Sequence, residues 1–300
     1  MDALAERRPG RRRQQLADLL RLARLDRPVG VWLLLWPTLW ALWVAAGGVP
    51  PLRLQLVFVL GTVVMRSAGC VVNDLLDRNI DPHVRRTRDR PLAARRVSPY
   101  TAIGLAFALL VVALGLALLL NAAALRLAFV GAALTLTYPL FKRFFPVPQL
   151  YLGVCFGWGI PMAFAATLGA VPRAGWLLLL AAMLWAGIYD TFYAMADRAD
   201  DARIGVRSSA ISFGDLDLVI IGSMQIMMLL ALWLVGHSLR LGRPYYLGLA
   251  GGALLFALHL WMARGRERGA CLRAFQSNHW FGVAVLAGIV VQYGARPLAW

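Results

Sequence analysis

Nine separate apolar runs divide this chain, at about 28–46, 54–73, 99–120, 124–141, 150–169, 175–195, 217–236, 245–263 and 279–296. Each is close to the ~20 residues that a helix needs to cross a bilayer core of about 30 Å. A water-soluble domain has nowhere to bury so many such runs. In lipid, a segment must satisfy its own backbone hydrogen bonds, which a helix does. No stretch shows the alternating pattern of strands. The expected fold is therefore all-α, a polytopic integral membrane protein with nine transmembrane helices. Pro37 and Pro161 fall inside runs, where membrane helices tolerate proline and can kink at it.

Composition agrees. The 300 residues are 60% hydrophobic and 15% charged, against roughly half and a quarter in soluble domains. The formal charge of +16 raises the question of nucleic acid. Its distribution answers it. Of 30 Arg and one Lys, 24 fall on the side shared by the N-terminus and the even-numbered loops, and six on the other. Arg66 lies within the second run. Cationic loops stay in the cytoplasm, so topology accounts for the charge and nucleic-acid binding is not expected. Residues 1–24 form a basic cytosolic arm, residues 25–300 one membrane domain, and nine spans leave the C-terminus outside. Cys70, Cys155 and Cys271 are too widely spaced for a metal or redox motif.

The acids are concentrated. Eight of the 15 Asp and Glu lie in 74–89 and 190–201. The first cluster, in "VVNDLLDRNID", holds Asn73, Asp74, Asp77 and Asp81. The second, in "YDTFYAMADRADD", holds Asp190, Asp197, Asp200 and Asp201. An offset of 120 aligns Asp77-Arg78 and Asp81 with Asp197-Arg198 and Asp201. Each cluster follows an even-numbered run, which suggests four-helix repeats over about 25–145 and 146–263 with a ninth helix appended.

On a helix of about 100° per residue, Asn73, Asp77 and Asp81 share an arc of roughly 80°, and Asp190, Asp197 and Asp201 one of roughly 40°. Asp74 lies about 100° around from Asn73. Carboxylates on one helical face repel, and a cation relieves the repulsion. Mg²⁺ suits the donors, since it takes oxygen ligands, uses few carboxylates and completes its shell with water and phosphate oxygens. No His or Cys accompanies the acids, which disfavours zinc or iron. Asp190 follows a long apolar run, and an ionisable group within the membrane boundary marks function. Arg78 and Arg198 follow the clusters, and Lys142 and Arg143 lie on the same side. Arginine forks onto phosphate oxygens, so the pattern points to a diphosphate.

"GCVVNDLLDRNIDPHVRRTRDRPLA" and "YDTFYAMADRADDARIGVRSSAI" resemble the two aspartate-rich motifs of the UbiA-type membrane prenyltransferases. Supporting segments are "RLARLDRPVGVWLLLWPTLWALW", "TYPLFKRFFPVPQL" and "AFQSNHWFGVAVLAG". The likeness covers roughly 21–296. Within the family it is strongest to the enzymes of ubiquinone synthesis that prenylate 4-hydroxybenzoate.

The resemblance implies nine helices around a central cavity in a bacterial inner membrane. It implies two Mg²⁺ ions holding a polyprenyl diphosphate, whose tail leaves sideways into membrane lipid. Carried onto this chain, the metal and diphosphate residues are Asn73, Asp77, Asp81, Asp190, Asp197 and Asp201, with Asp77, Asp81, Asp190 and Asp197 central to catalysis. Arg78, Lys142 and Arg198 are expected diphosphate contacts. Arg27 and Arg143 are the candidates for anchoring the acceptor's carboxylate. Phe192 stands where similar enzymes often carry Glu or Gln, and Ala196 is a small residue before Asp197. Other acceptors, such as homogentisate or dihydroxynaphthoate, define the rivals within the family. A secondary transporter, which also uses repeats and membrane charges, is the rival outside it.

Overall fold

A computed structural model describes residues 11–83, 87–141, 148–205 and 208–295. Among these residues every regular element is helical. A short helix α1 (Arg11–Leu22) precedes α2 (Val29–Ala46), α3 (Leu52–Leu76), α4 (Pro99–Ala117) and α5 (Ala122–Phe141). Then come α6 (Pro148–Gly157), α7 (Gly159–Leu168), α8 (Arg173–Ile204) and α9 (Ser209–Phe213). The series closes with α10 (Asp217–Ser238), α11 (Arg243–Ala263) and α12 (Arg268–Ala295). The described residues contain nine spans long and apolar enough to cross a membrane.

Two spans differ from the sequence expectation in instructive ways. The fifth is broken into α6 and α7 at Trp158. Pro161 has no N–H for the carbonyl four residues back, that of Gly157, where α6 ends. The flanking glycines let the break pack closely. A Cβ on Gly157 would stand 2.6 Å from Leu179 Cδ1, and one on Gly159 2.4 Å from Thr38 Oγ1. The ninth span begins at Arg268 rather than 279. Its first turns carry Arg268 and Arg273 and so read as loop, yet the helix forms because it runs past the apolar zone.

The core lies where α2, α8, α11 and α12 meet. Trp40 and Trp185 stack with centroids 5.3 Å apart, and Phe281 packs 5.5 Å from Trp185 and 4.0 Å from Phe256. The indole N–H groups are satisfied: Trp40 donates to the Gly282 carbonyl at 3.0 Å and Trp185 to Asn278 Oδ1 at 3.1 Å. Without water, such bonds are what make a buried polar group tolerable. Between α11 and α12 the backbones touch, with a Cβ on Gly248 placed 2.8 Å from Gly288 Cα. Small residues permit this close approach in membrane helix pairs. The outer surface exposes Ile103, Phe107, Leu230 and Leu254, suited to contact with lipid tails.

A smaller apolar cluster joins α1 to the body: Leu22 packs with Val71, Leu92, Val97, Ala102 and Ala106. Buried Asp18 accepts from Arg96 Nε at 3.1 Å. α1 is thus docked beside the end of α3, next to the first acidic cluster.

Candidate active site

α3 and α8 supply one face each to a cavity of about 2460 Å³. Along α3 and at its C-cap, Arg66, Cys70, Asn73 and Asp77 line it at the spacing of one helical face, and Asp74 reaches it from beside them. On α8, Tyr189, Asp190, Tyr193, Asp197 and Asp201 do so. All six residues expected to hold metal and diphosphate therefore open onto one space. They come from segments 120 residues apart, which supports reading the two clusters as halves of one site.

The rows are built differently. α3 ends at Leu76, so the first row does not continue as regular helix. The backbone nevertheless keeps four-residue steps: Asp77 N donates to Asn73 O at 2.9 Å and Asp81 N to Asp77 O at 2.9 Å. Asp81 then opens a 3-10 turn through His83. The second row stands wholly on α8, which continues to Ile204.

Asp74 is not a free acid beside the row. Arg24 donates through Nη2 to both its oxygens, at 3.0 and 2.9 Å. Arg90 Nη1 bridges Asp74 Oδ1 at 3.0 Å and Asp81 Oδ2 at 2.9 Å. One network thereby ties the turn after α1, the end of α3 and the segment after residue 87. Around the second row, Arg268 Nη1 donates to Asp200 Oδ2 at 3.2 Å, and its Nη2 lies 3.6 Å from Asp197 Oδ1.

The predicted cations divide. Arg198 does not line the cavity; it binds the Gly214 carbonyl at 3.1 Å and the fully buried Asp217. Asp217 also accepts from Arg266 Nη2 at 2.9 Å, and this hydrogen bond raises the Arg266 pKa above its ordinary value. In this structure Arg198 clamps Asp217 and does not face the cavity. Arg78 is exposed, outside the cavity lining, and donates to the Leu75 carbonyl at 3.0 Å. It caps α3, whose last carbonyls lack helical partners. Arg27 stands at the cavity rim, with a side chain 79% exposed and 3.8 Å from Asp26. Lys142 and Arg143 lie outside the described residues. Phe192 is buried in the core, edge-on to His259, and does not line the cavity.

The sequence expectation places Arg66 within the second run and gives it no site role. It lies seven residues, or about 10 Å of helix, before Asn73. Its guanidinium lies 5.4 Å from the Phe156 ring centre, and its Nε is buried with no hydrogen-bond partner among the described residues. Gly30 leaves room for it, since a Cβ there would be 2.8 Å from Nε. Asp190 stands seven residues before Asp197 on α8, and Arg66, Asp190, Tyr138 and Tyr189 all line the cavity. The sequence signal was present: a lone Arg in an apolar run, on the helical face of Asn73 and Asp77.

Among the described residues, no three His, Cys, Asp or Glu converge closely enough to cage a metal by themselves. The donor set still fits Mg²⁺. It is all oxygen, faces one cavity and leaves positions for phosphate and water, as Mg²⁺ sites do.

Comparisons with known proteins agree with this architecture. Residues 34–282 match the UbiA prenyltransferase family. A 4-hydroxybenzoate octaprenyltransferase of Pseudomonas syringae pv. syringae is 50% identical over 279 residues, 93% of this chain and 94% of that protein. One from Alkalilimnicola ehrlichii is 52% identical over 270 residues, 90% of this chain and 92% of that protein. Among solved structures, a UbiA homologue from Aeropyrum pernix K1 superposes with a TM-score of 0.75 at 27% identity, covering 87% of this chain and 97% of its own. A UbiA homologue from Archaeoglobus fulgidus bound to GPP and Mg²⁺ shares the fold, with a TM-score of 0.66 at 18% identity over 91% of this chain and 99% of its own. With nine apolar spans and both aspartate-rich motifs around one cavity, the chain belongs to the UbiA prenyltransferase family and is a membrane-embedded prenyltransferase.

Proposed function

We propose that the protein transfers a polyprenyl group from polyprenyl diphosphate to the carbon ortho to the hydroxyl of 4-hydroxybenzoate, releasing diphosphate, in ubiquinone synthesis. The observation that carries this is a cavity with two tiers. The outer tier is Asn73, Asp77, Asp81, Asp197 and Asp201; the inner is set by Arg66 and Asp190, each seven residues or about 10 Å of helix before Asn73 and Asp197, and Tyr138 and Tyr189 line the same cavity. The names of the relatives at about half identity support the acceptor.

Asn73, Asp77, Asp81, Asp197 and Asp201 would hold Mg²⁺, two ions in our reading, beside the diphosphate. When bound, Mg²⁺ neutralises the charge that builds on the leaving group. Arg66 meets the acceptor's carboxylate. A half-buried arginine whose Nε is unmet is a stronger anchor than the exposed Arg27, because a lower local dielectric strengthens its bond to a carboxylate. The prenyl C1–O bond breaks and its electron pair leaves with diphosphate. The ring carbon ortho to the phenol attacks C1, and the ring proton passes to the Asp190 carboxylate or to diphosphate. Phe156, Leu33, Met162 and their neighbours wall the cavity and keep water from the allylic cation. The charge asymmetry supports a bacterial inner-membrane site with this cavity mouth cytoplasmic and the C-terminus outside.

The test uses the full chain in nanodiscs with geranyl diphosphate and 4-hydroxybenzoate. Prenylated product is expected with Mg²⁺ and not in EDTA. Equal product in EDTA sinks the mechanism. Use of homogentisate or dihydroxynaphthoate in place of 4-hydroxybenzoate moves the assignment to another acceptor. Arg66→Gln is expected to raise KM for 4-hydroxybenzoate about tenfold or more, with little change in KM for geranyl diphosphate. A C-terminal reporter active only in the cytoplasm contradicts the orientation.

A further inference from the structure

We propose that Arg268 is the resident counter-ion of the second acidic row. In the metal-free enzyme it holds Asp197 and Asp200; it gives up Asp197 when metal and diphosphate arrive and then turns to the phosphate oxygens. This rests on the metal–diphosphate assignment above and adds a residue that assignment does not use.

The placement of Arg268 is the first argument. It is the first residue of α12, and the face that follows it, Leu272, Phe275, Gln276 and His279, lines the same cavity. The spacing of 4, 7, 8 and 11 residues confines these side chains to one face, an arc of about 100°. Arg268 thus stands at the outer end of a cavity-facing stripe, level with the second row.

The second argument is electrostatic. The positive end of the helix dipole disfavours a cation at a helix N-terminus. Arg268 sits there nonetheless, between two carboxylates at 3.2 and 3.6 Å. Conversely, Asp197, Asp200 and Asp201 crowd one turn of α8, where like charges repel. The guanidinium relieves both penalties at once.

The third argument is the matching arrangement on the other row. There Arg90 bridges Asp74 and Asp81 through one nitrogen, and it too lines the cavity. Each row has one carboxylate outside the metal-facing set, Asp74 or Asp200, that can keep its arginine nearby. Each has one inside the set, Asp81 or Asp197, that the arginine must share. The Arg268 side chain is 47% exposed, so it has room to turn without unpacking the helix.

Two measurements test the exchange. In the first, binding of Mn²⁺ to the full chain in nanodiscs, without diphosphate, is followed by EPR of the free ion. Arg268→Gln is expected to tighten Mn²⁺ about two- to fivefold, because a competitor is gone. The same variant is expected to bind the unreactive thiolo analogue of geranyl diphosphate, with Mg²⁺, about tenfold more weakly. Opposite signs are the signature. A merely structural role weakens both, and a bystander moves neither; either outcome overturns the proposal. In the second, the unmutated protein is treated with phenylglyoxal and Arg268 is followed by peptide mass mapping. Its reactivity is expected to rise with Mg²⁺ alone and to fall when the analogue is added. Constant reactivity overturns the proposal without any variant having to fold. Analogue binding that ignores Mg²⁺ in the parent protein instead overturns the metal–diphosphate assignment itself.

Discussion

On α8, Asp190, Asp197 and Asp201 stand on one helix that runs to Ile204, while Asn73, Asp77 and Asp81 cross the end of α3 into a turn. The second row needs only helical geometry to align it. The first row needs more, because Asp81 lies beyond the regular helix. The added support is visible: Asp77 and Asp81 amides step back to carbonyls four residues earlier, and Arg24, Asp74 and Arg90 lash the turn to its neighbours. One face of the site is rigid by secondary structure and the other by ion pairing.

If both rows serve one reaction, Asp77→Ala and Asp197→Ala each lower prenyl transfer at least about a hundredfold, as expected when stabilisation of a leaving anion is lost. Turnover with geranyl diphosphate measures this, and survival of either variant breaks the pairing of the rows. The next effect separates them. Asp74→Asn removes the partner of Arg24 and Arg90 and lets the Asp81 turn drift. Activity is expected to fall about tenfold. Stability is expected to fall by about 1–3 kcal/mol, below the roughly 3–5 kcal/mol of a fully buried broken pair because water reaches both arginines. Asp217→Asn breaks a comparable pair beside α8, where the helix itself keeps the row aligned. Its stability loss is expected to be similar, with activity down no more than about threefold. Equal activity losses in these two variants would remove the distinction between the rows. Smallest is Asn278→Leu, which deprives buried Trp185 of its acceptor at a residue that does not line the cavity. A loss of about 1–2 kcal/mol in detergent unfolding is expected, with activity retained.

Much of this was legible in the chain. Apolar runs located the nine spans because lipid demands long helices, and the 120-residue offset paired the two acidic rows before any fold was known. Errors arose where helix and bilayer part company. Charge in 264–273 hid the start of α12, and with it Arg268, because hydropathy marks the membrane and not the helix. Pro161 marks a possible kink in the sequence, but the place of the break depends on the packing of Gly157 against Leu179 and Gly159 against Thr38.

The residue types and spacing by themselves determined the membrane class and the oxygen-donor chemistry, since both follow from local periodicity and from what a bilayer excludes. They could not assign the arginines. Arg66, Arg78, Arg90, Arg198 and Arg268 are alike as letters. Only the tertiary structure sets one deep in the cavity, caps a helix with another, clamps Asp217 with a third and lays two across the acidic rows. A guanidinium's role is fixed by which acids and carbonyls its long side chain can reach, and those partners can lie 71 positions away, as Arg268 and Asp197 show.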